Sequence, residues 1–322
     1  MNVNELGSFL VTGGAGFIGS HLVSYLAEKE CELTIIDNLS AGNSEFIKNI
    51  IKNKKIDFIK KDLNNYKNEE LSLNDISTVF HMAAYPEVRT GHSNPQLAYK
   101  ENIENTYSLL EKIRKSNVKK IVFASSSVVY GEAELIPTPE NYGPLIPISS
   151  YGGSKLACEG LISAYCNNYG IQGIILRLAN VIGSRSKHGV IWDFLNKLKN
   201  DNSKLDILGD GKQTKSYIHV KDCVDAFIFS LLNSKKKVNM INIGNNDQIE
   251  VKNIAKIVCD NYNLPNTELN FSGGTNDGRG WIGDVKTMRL DITKLKEMGW
   301  KPKLTSVEAV DLATKELLKE IS

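Results

Sequence analysis

The sequence predicts an α/β chain built on a doubly wound parallel sheet, with a smaller C-terminal α/β lobe, and three observations carry that prediction. A short apolar strand, Ser8 to Thr12, runs directly into Thr12-Gly-Gly-Ala-Gly-Phe-Ile-Gly-Ser20, a glycine turn that opens a helix with Ile18, Leu22 and Leu26 on one face. A second strand, Glu32 to Ile36, ends in Asp37, eighteen residues after Gly19. Further strands alternate with helical stretches, the pattern of parallel strands covered on both faces.

Each element has its own signal. In the turn, glycines let the backbone bend sharply and approach a pyrophosphate, while the helix N-terminus offers N–H groups and partial positive charge to that anion. Gly14, Gly16 and Gly19 spell G-x-G-x-x-G, and Gly13, Gly16 and Gly19 give a wider spacing. A carboxylate at Asp37 suits ribose hydroxyls and repels a 2′-phosphate, which selects NAD over NADP in a Rossmann-type fold; the same residue also suits a turn at a strand end. Strands follow at Asp57 to Lys60, Thr78 to Met82, Lys120 to Ser125 and Gln172 to Leu176, with helices at Gln96 to Lys115 and Tyr151 to Tyr169. Asp62 follows a strand and reaches toward an adenine edge. Met82, Ala83 and Ala84 offer small or flexible side chains where backbone passes a cofactor.

Beyond Asn180 the expected elements are a helix at Val190 to Lys199, a Gly209-Asp-Gly211 turn, a strand at Ser216 to Val220, a helix at Asp222 to Leu232, a strand at Asn239 to Ile243 and a helix at Glu250 to Tyr262. The last helix opens on Thr305-Ser-Val-Glu308, a capping box. The expected division is a dinucleotide-binding domain over 1–179 with return segments at about 216–243, and a substrate lobe over 180–322 packed against it across a cleft.

Composition narrows the class. In 322 residues, 41% apolar and 24% charged content fits a globular enzyme, and 39 basic against 37 acidic residues leave a net charge of +2 with no electrostatic case for nucleic acid. The lysine clusters around Lys52 to Lys61 and Lys235 to Lys237 read as solvated loop faces. Five scattered cysteines without a C-x-x-C pair fit reduced thiols and give no metal site. The polar Met1 to Ser8 leads straight into the first strand, and no apolar run approaches a membrane span, so a cytoplasmic location is expected.

Tyr151-Gly-Gly-Ser-Lys155 supplies the candidate chemistry. At four residues apart on a helix, the two side chains share a face, and an ammonium there favours the phenolate. A tyrosine poised in this way can take a proton from an alcohol as hydride leaves. Such pairs also occur on plain solvated faces, so the context decides.

That context is an ordered set of motifs: Thr12-Gly-Gly-Ala-Gly-Phe-Ile-Gly-Ser20, Asp37-Asn-Leu-Ser40, His81-Met-Ala-Ala84, Phe123-Ala-Ser-Ser-Ser127 with Tyr130-Gly131, Tyr151-x-x-x-Lys155, Arg177-Leu-Ala-Asn180, and Gly209-Asp-Gly211 leading to Tyr217-Ile-His219. Together they resemble the extended short-chain dehydrogenase/reductases of the NAD-dependent epimerase/dehydratase family, with UDP-glucose 4-epimerases the nearest likeness. The resemblance implies Tyr151, Lys155 and Ser126 as catalytic residues, Ser126 lying twenty-five before the tyrosine. It implies a cofactor-binding set of Gly13, Gly16, Phe17, Ile18, Gly19, Asp37, Asn38, Ser40, Gly42, Asp62, Leu63, Met82, Ala83, Ala84 and Asn102, with Tyr151 and Lys155. Substrate would meet Ser126, Tyr151, Asn180, Lys215 and Arg279. His81, His188 and His219 are read as structural.

Three departures stand out. Lys215, followed by Ser216, occupies the position of a diphosphate-binding arginine, and lysine lacks the bidentate fork. Arg279, before Gly280-Trp-Ile-Gly-Asp284, sits at altered spacing, and Pro86 replaces a lysine that some epimerases carry. The implied activity is NAD-dependent nucleotide-sugar 4-epimerisation, UDP-glucose/UDP-galactose type, through a transient 4-keto sugar. Rivals are a 4-dehydrogenase, uronate epimerase, decarboxylase or dehydratase, or a non-catalytic NAD-binding protein. Related dehydratases carry Asp-Glu where this chain has Ser127 and Val128, and a related decarboxylase has glutamate at the position of Val128, so both eliminations lack a residue that they need. The resemblance also implies a homodimer through the helices at Gln96 to Lys115 and Tyr151 to Tyr169, where Leu156, Leu161 and Ile162 supply a buried stripe or else face the sheet.

Overall fold

The computed structural model describes residues 3–65, 72–86 and 94–321, so Met1, Asn2 and Ser322 of the expected segments lie outside the described residues. In chain order the elements are β1 (Ser8–Thr12), α1 (Phe17–Glu28), β2 (Leu33–Asp37), β3 (Ile56–Lys60), β4 (Ile76–His81), α2 (Pro95–Ala98), α3 (Asn105–Ile113), β5 (Lys120–Ser126), α4 (Ser150–Tyr169), β6 (Gln172–Leu178) and β7 (Asn180–Ile182). They continue with α5 (Val190–Asn200), β8 (Lys204–Leu208), β9 (Thr214–Lys215), β10 (Tyr217–His219), α6 (Val220–Asn233), β11 (Val238–Ile243), β12 (Ile249–Glu250), α7 (Val251–Asn261), β13 (Glu268–Ser272), β14 (Thr287–Met288), α8 (Thr293–Glu297) and α9 (Ser306–Ile321).

Seven strands form one sheet in the order β11-β6-β5-β4-β1-β2-β3, and the pairs β1·β2, β2·β3, β1·β4 and β4·β5 are parallel. Its strands are near-continuous apolar runs because both faces are covered: six of the seven residues of β6 are buried. The order reverses direction between β1 and β4, the switch point at which ligands bind in such sheets.

The chain divides into two compact units. The first comprises Met1–Val129, Ser150–Arg177 and Val224–Ile241; the second comprises Tyr130–Ser149, Leu178–Cys223 and Asn242–Ser322. The first unit carries the large sheet, apart from the last residues of β6 and β11, over a core that includes Leu10, Ile36, Leu109, Ile121 and Ile162. The second has its own core around Phe194, Leu195, Ile207, Ile254 and Val310. The expected first domain included residues 130–149, which here pack with the second unit, and of the expected return segment only 224–241 joins the first.

The expected strand at Ser216 to Val220 forms as β10, which pairs with β7, and the separate two-residue β9, paired with β12 and β14, precedes it. The expected continuous helix at Gln96 to Lys115 is interrupted by a wide π-turn over Tyr99–Glu104, and its last two residues lie past the end of α3. Ile162 belongs to the first unit's core and Leu161 packs partly against it, so they face inward. The capping box forms as read: Thr305 N and Oγ1 donate to Glu308 Oε2 at 2.8 and 2.9 Å, and Glu308 N donates back to Thr305 Oγ1 at 3.2 Å.

Sequence reading missed one buried ion pair that ties α4 to the sheet. Arg177 on β6 donates from Nε and Nη2 to Glu159 at 3.0 and 2.7 Å, Ser125 Oγ donates to the same carboxylate at 2.5 Å, and arginine and glutamate are 2% and 1% exposed. Removing one charge of such a pair strands the other in a low-dielectric interior. Glu159→Gln is therefore expected to lower the unfolding free energy by about 3–5 kcal/mol, measured by urea denaturation followed by circular dichroism.

Candidate active site

The glycine turn forms at the C-terminal end of β1. Gly13 has φ +69°, its N–H bonds Ile36 O at 2.7 Å, and a Cβ there would come within 2.6 Å of Ala83 N, so only glycine lets the turn lie against the end of β4. A Cβ on Gly19 would reach within 2.1 Å of Gly13 O. Gly16 is the N-cap of α1; no side chain caps that end, and no acidic residue occupies its first turn, where Phe17, Ile18 and Gly19 sit. Backbone N–H groups at an uncapped helix end, beside glycines that admit no Cβ, fit a dinucleotide's pyrophosphate.

Asp37, at the end of β2, accepts from Ala15 N (Oδ2, 2.9 Å) and Leu39 N (Oδ1, 2.8 Å). Burial raises its pKa and these backbone donors oppose the rise. A Cβ on Gly42 would approach Asp37 Oδ1 to 2.8 Å, so the chain closes tightly over the carboxylate. Asn38 donates to Asp62 Oδ2 at 2.9 Å and accepts from Ser40 N at 2.9 Å, which engages one carboxylate oxygen of the residue read as an adenine contact. Leu63 turns its side chain into the core of the first unit.

Beneath the turn lies a buried polar chain that sequence reading did not find. Ala83 N donates to Thr12 Oγ1 (3.2 Å), which lies 2.7 Å from His81 Nδ1; His81 Nε2 lies 2.9 Å from Thr106 Oγ1, and Thr106 donates to Cys158 Sγ. Burial, reinforced by the Lys155 ammonium, lowers the His81 pKa to about 3, so the imidazole is neutral and suited to bridging two hydroxyls. Met82, Ala83 and Ala84 follow directly and are partly exposed. Asn102, in the π-turn, accepts from Tyr85 N at 2.7 Å and donates to Ser154 Oγ at 2.8 Å, pinning that loop to α4. Widened helical turns of this kind often mark functional positions.

On α4, Tyr151 and Lys155 meet the end of β5. Tyr151 is hydrogen-bonded to Ser126, while Lys155, 2% exposed, donates from Nζ to Ala124 O at 2.8 Å. That Nζ also lies 4.7 Å from the Phe123 ring centroid and 5.7 Å from that of Tyr151. Burial pushes the Tyr151 phenol above its ordinary value, with the Ser126 hydrogen bond opposing, and lowers Lys155 to about 8. The lysine was expected to depress the phenol pKa; desolvation by the surrounding protein raises it instead.

Of the residues read as substrate contacts, Ser126 and Tyr151 lie in the first unit, whereas Asn180, Lys215 and Arg279 lie in the second and engage protein groups. Asn180 N and Nδ2 donate to Ser216 O at 3.3 and 3.4 Å. Lys215 pairs with Asp284 at 2.5 Å, and Arg279 pairs with Glu132 and Asp277. His219 is buried against Glu316, 3.0 Å from Nε2 to Oε2.

The fold and its glycine cradle define a dinucleotide-dependent enzyme of the short-chain dehydrogenase/reductase type. Residues 9–244 match the NAD dependent epimerase/dehydratase family, and the chain belongs to it. It is 38% identical over 307 residues to a Methanocaldococcus jannaschii protein provisionally named a UDP-glucose 4-epimerase, covering 94% of this chain and 95% of that one. A crystal structure of a UDP-galactose 4-epimerase superposes with TM-score 0.87 at 39% identity, covering 98% and 100% of the two chains. A Bacillus cereus UDP-glucuronic acid 4-epimerase in complex with UDP-glucuronic acid and NAD superposes with TM-score 0.88 at 29% identity, with the same coverage. The cofactor is NAD.

The Lys155 shift has a thermodynamic consequence. Its folded pKa lies below its unfolded value of 10.5, so between pH about 8 and 10.5 the folded protein binds fewer protons than the unfolded chain, and stability rises with pH. Below pH 8 the desolvation penalty is present in full. Cofactor-free protein is therefore expected to gain on the order of 3 kcal/mol relative to Lys155→Met across this window, read by urea denaturation at a series of pH values.

Proposed function

We propose that the protein is an NAD-dependent 4-epimerase of a UDP-hexose, and that Ser126, Tyr151 and Lys155 carry its proton transfers. One observation supports this most: the phenol hydrogen-bonded to Ser126 at the end of β5, with a buried lysine one turn away, in the unit that carries the glycine cradle. In this reading Gly13, Gly16, Phe17, Ile18 and Gly19 hold the pyrophosphate, Asp37 the ribose, and Asp62, Met82, Ala83 and Ala84 flank the cofactor, while Asn102 positions the 82–86 loop. When bound, NAD supplies an acceptor for the C4 hydride and gives the hydride back. Tyr151 takes the proton of the sugar 4-hydroxyl as that hydride leaves, Ser126 hydrogen-bonds the same oxygen, and Lys155 holds positive charge beside the phenolate. Return of hydride to the opposite face of C4, and of the proton from Tyr151 to O4, completes the inversion with no net redox change.

Asn180, Lys215 and Arg279 are assigned to the nucleotide diphosphate. Val128 supports epimerisation over elimination: an aliphatic side chain can neither donate nor accept the C5 or carboxyl-linked proton. Five free, buried cysteines support a reducing, cytoplasmic compartment, and among the described residues no helix is long and apolar enough to cross a membrane.

Incubation with UDP-, GDP- and dTDP-sugars, including uronic and N-acetylated ones, and NMR of the products tests the reading. Interconversion of a UDP-hexose with its 4-epimer is the expected outcome. Tyr151→Phe should lose at least about a hundredfold in kcat, and Ser126→Ala about tenfold, with NAD still bound. A 4-keto-6-deoxy sugar, a pentose or a released ketone would reject it.

We also propose a homodimer through the exposed side of α2–α4. With Ile162 committed to the core, the surface carries Tyr99, Tyr107 and Tyr169, at least half exposed, and small residues Gly153, Ala157, Gly160 and Ala164 at helical spacing on α4. Light scattering should return a dimer mass at micromolar concentration, and Gly160→Arg should return a monomer mass.

A further inference from the structure

Resting on the assignment of Arg279 to the substrate diphosphate, we propose that Glu132 is a positioning residue that occupies the guanidinium in the diphosphate's place and sets nucleotide affinity by having to leave. Arg279 is already heavily engaged. Its Nε donates to Asp277 Oδ2 at 2.7 Å, Nη1 donates to Glu132 Oε1 and to Asp284 O (2.7 Å), and Nη2 donates to Glu132 Oε2 at 2.7 Å. Four of the five N–H donors are thus used, and the two parallel donors on the open end of the fork both go to Glu132. Those are the donors with which an arginine meets a phosphate, because carboxylate and phosphate present the same pair of oxygens to the fork.

The three carboxylates around Arg279 have different freedom. Asp284 is 3% exposed, pairs with Lys215 and accepts from Gly280 N at 3.2 Å, so it belongs to the frame. Asp277 accepts from Thr275 Oγ1 and lies 3.6 Å from Lys286 Nζ, and by holding Nε it fixes the plane of the fork. Glu132 is 42% exposed and bonds Arg279 and the backbone of Lys286. It follows Gly131, whose φ of +64° and close approach to Ile146 O admit no side chain, so the backbone aims Glu132 while its carboxylate stays next to water. Only the Glu132 end of this pair is open to water, and a diphosphate brings more than one negative charge to the fork, so exchange of Glu132 for diphosphate is downhill, and Asp277 and Asp284 keep the guanidinium oriented throughout.

Glu132 on this account lowers affinity for the nucleotide and keeps the arginine from collapsing or recruiting other anions. Calorimetric titration of UDP into purified, NAD-loaded protein tests it. Glu132→Gln and Glu132→Ala are expected to bind UDP about three- to tenfold more tightly than wild type, and the gain should vanish in an Arg279→Gln background. UDP binding that is unchanged or weakened in both Glu132 variants, with wild type binding normally, overturns the proposal alone. Wild-type protein that binds no UDP overturns the diphosphate assignment and the proposal together.

Discussion

The ammonium of Lys155 hangs from a main-chain carbonyl at the end of β5, and much of the first unit is arranged to make that possible. A lysine 2% exposed is costly unless its charge is answered, and here the answer comes from Ala124 O at 2.8 Å and the face of Phe123. Since α4 carries Lys155 and Tyr151 one turn apart, seating the lysine also places the phenol beside Ser126. The same burial sets the electrostatics, pulling the lysine to about 8 and raising the phenol.

Around this contact runs a chain of buried, hydrogen-bonded polar groups. Thr12, His81, Thr106 and Cys158 link β1, β4, α3 and α4 by hydrogen bonds, and a histidine held neutral can serve as donor on one side and acceptor on the other. Asn102 extends the bracing to the loop after β4. Glu159 and Arg177 do the same between α4 and β6, so that α4 is anchored on two sides by groups that would be expensive to leave unmade.

The second unit treats charge differently. Lys215 and Arg279 are partly buried and each is matched to a carboxylate: Asp284 holds the Lys215 Nζ at 2.5 Å, and the Trp281 ring lies 5.5 Å from that Nζ. Glu132, by contrast, is held mainly by the arginine that it answers, which leaves it the most exchangeable member of the cluster.

Much of this was legible in the chain. The strand, glycine turn and helix over 8–28, the acid at Asp37, the alternation that makes a doubly wound sheet and the capping box at Thr305 all follow from preferences acting within a few residues, and periodicity and spacing report those directly. The interruption of the helix at Asn102 was not legible, because its partners are 17 and 52 residues distant. Nor was the engagement of Arg279 by a glutamate 147 residues away, the assignment of 130–149 to the second unit, or the inward turn of Ile162. Tyr151 makes the distinction sharpest: sequence places the tyrosine and its lysine on one helical face, but the sign of the pKa shift depends on how much water the rest of the fold removes, and desolvation is a property of the packed interior that no local pattern encodes.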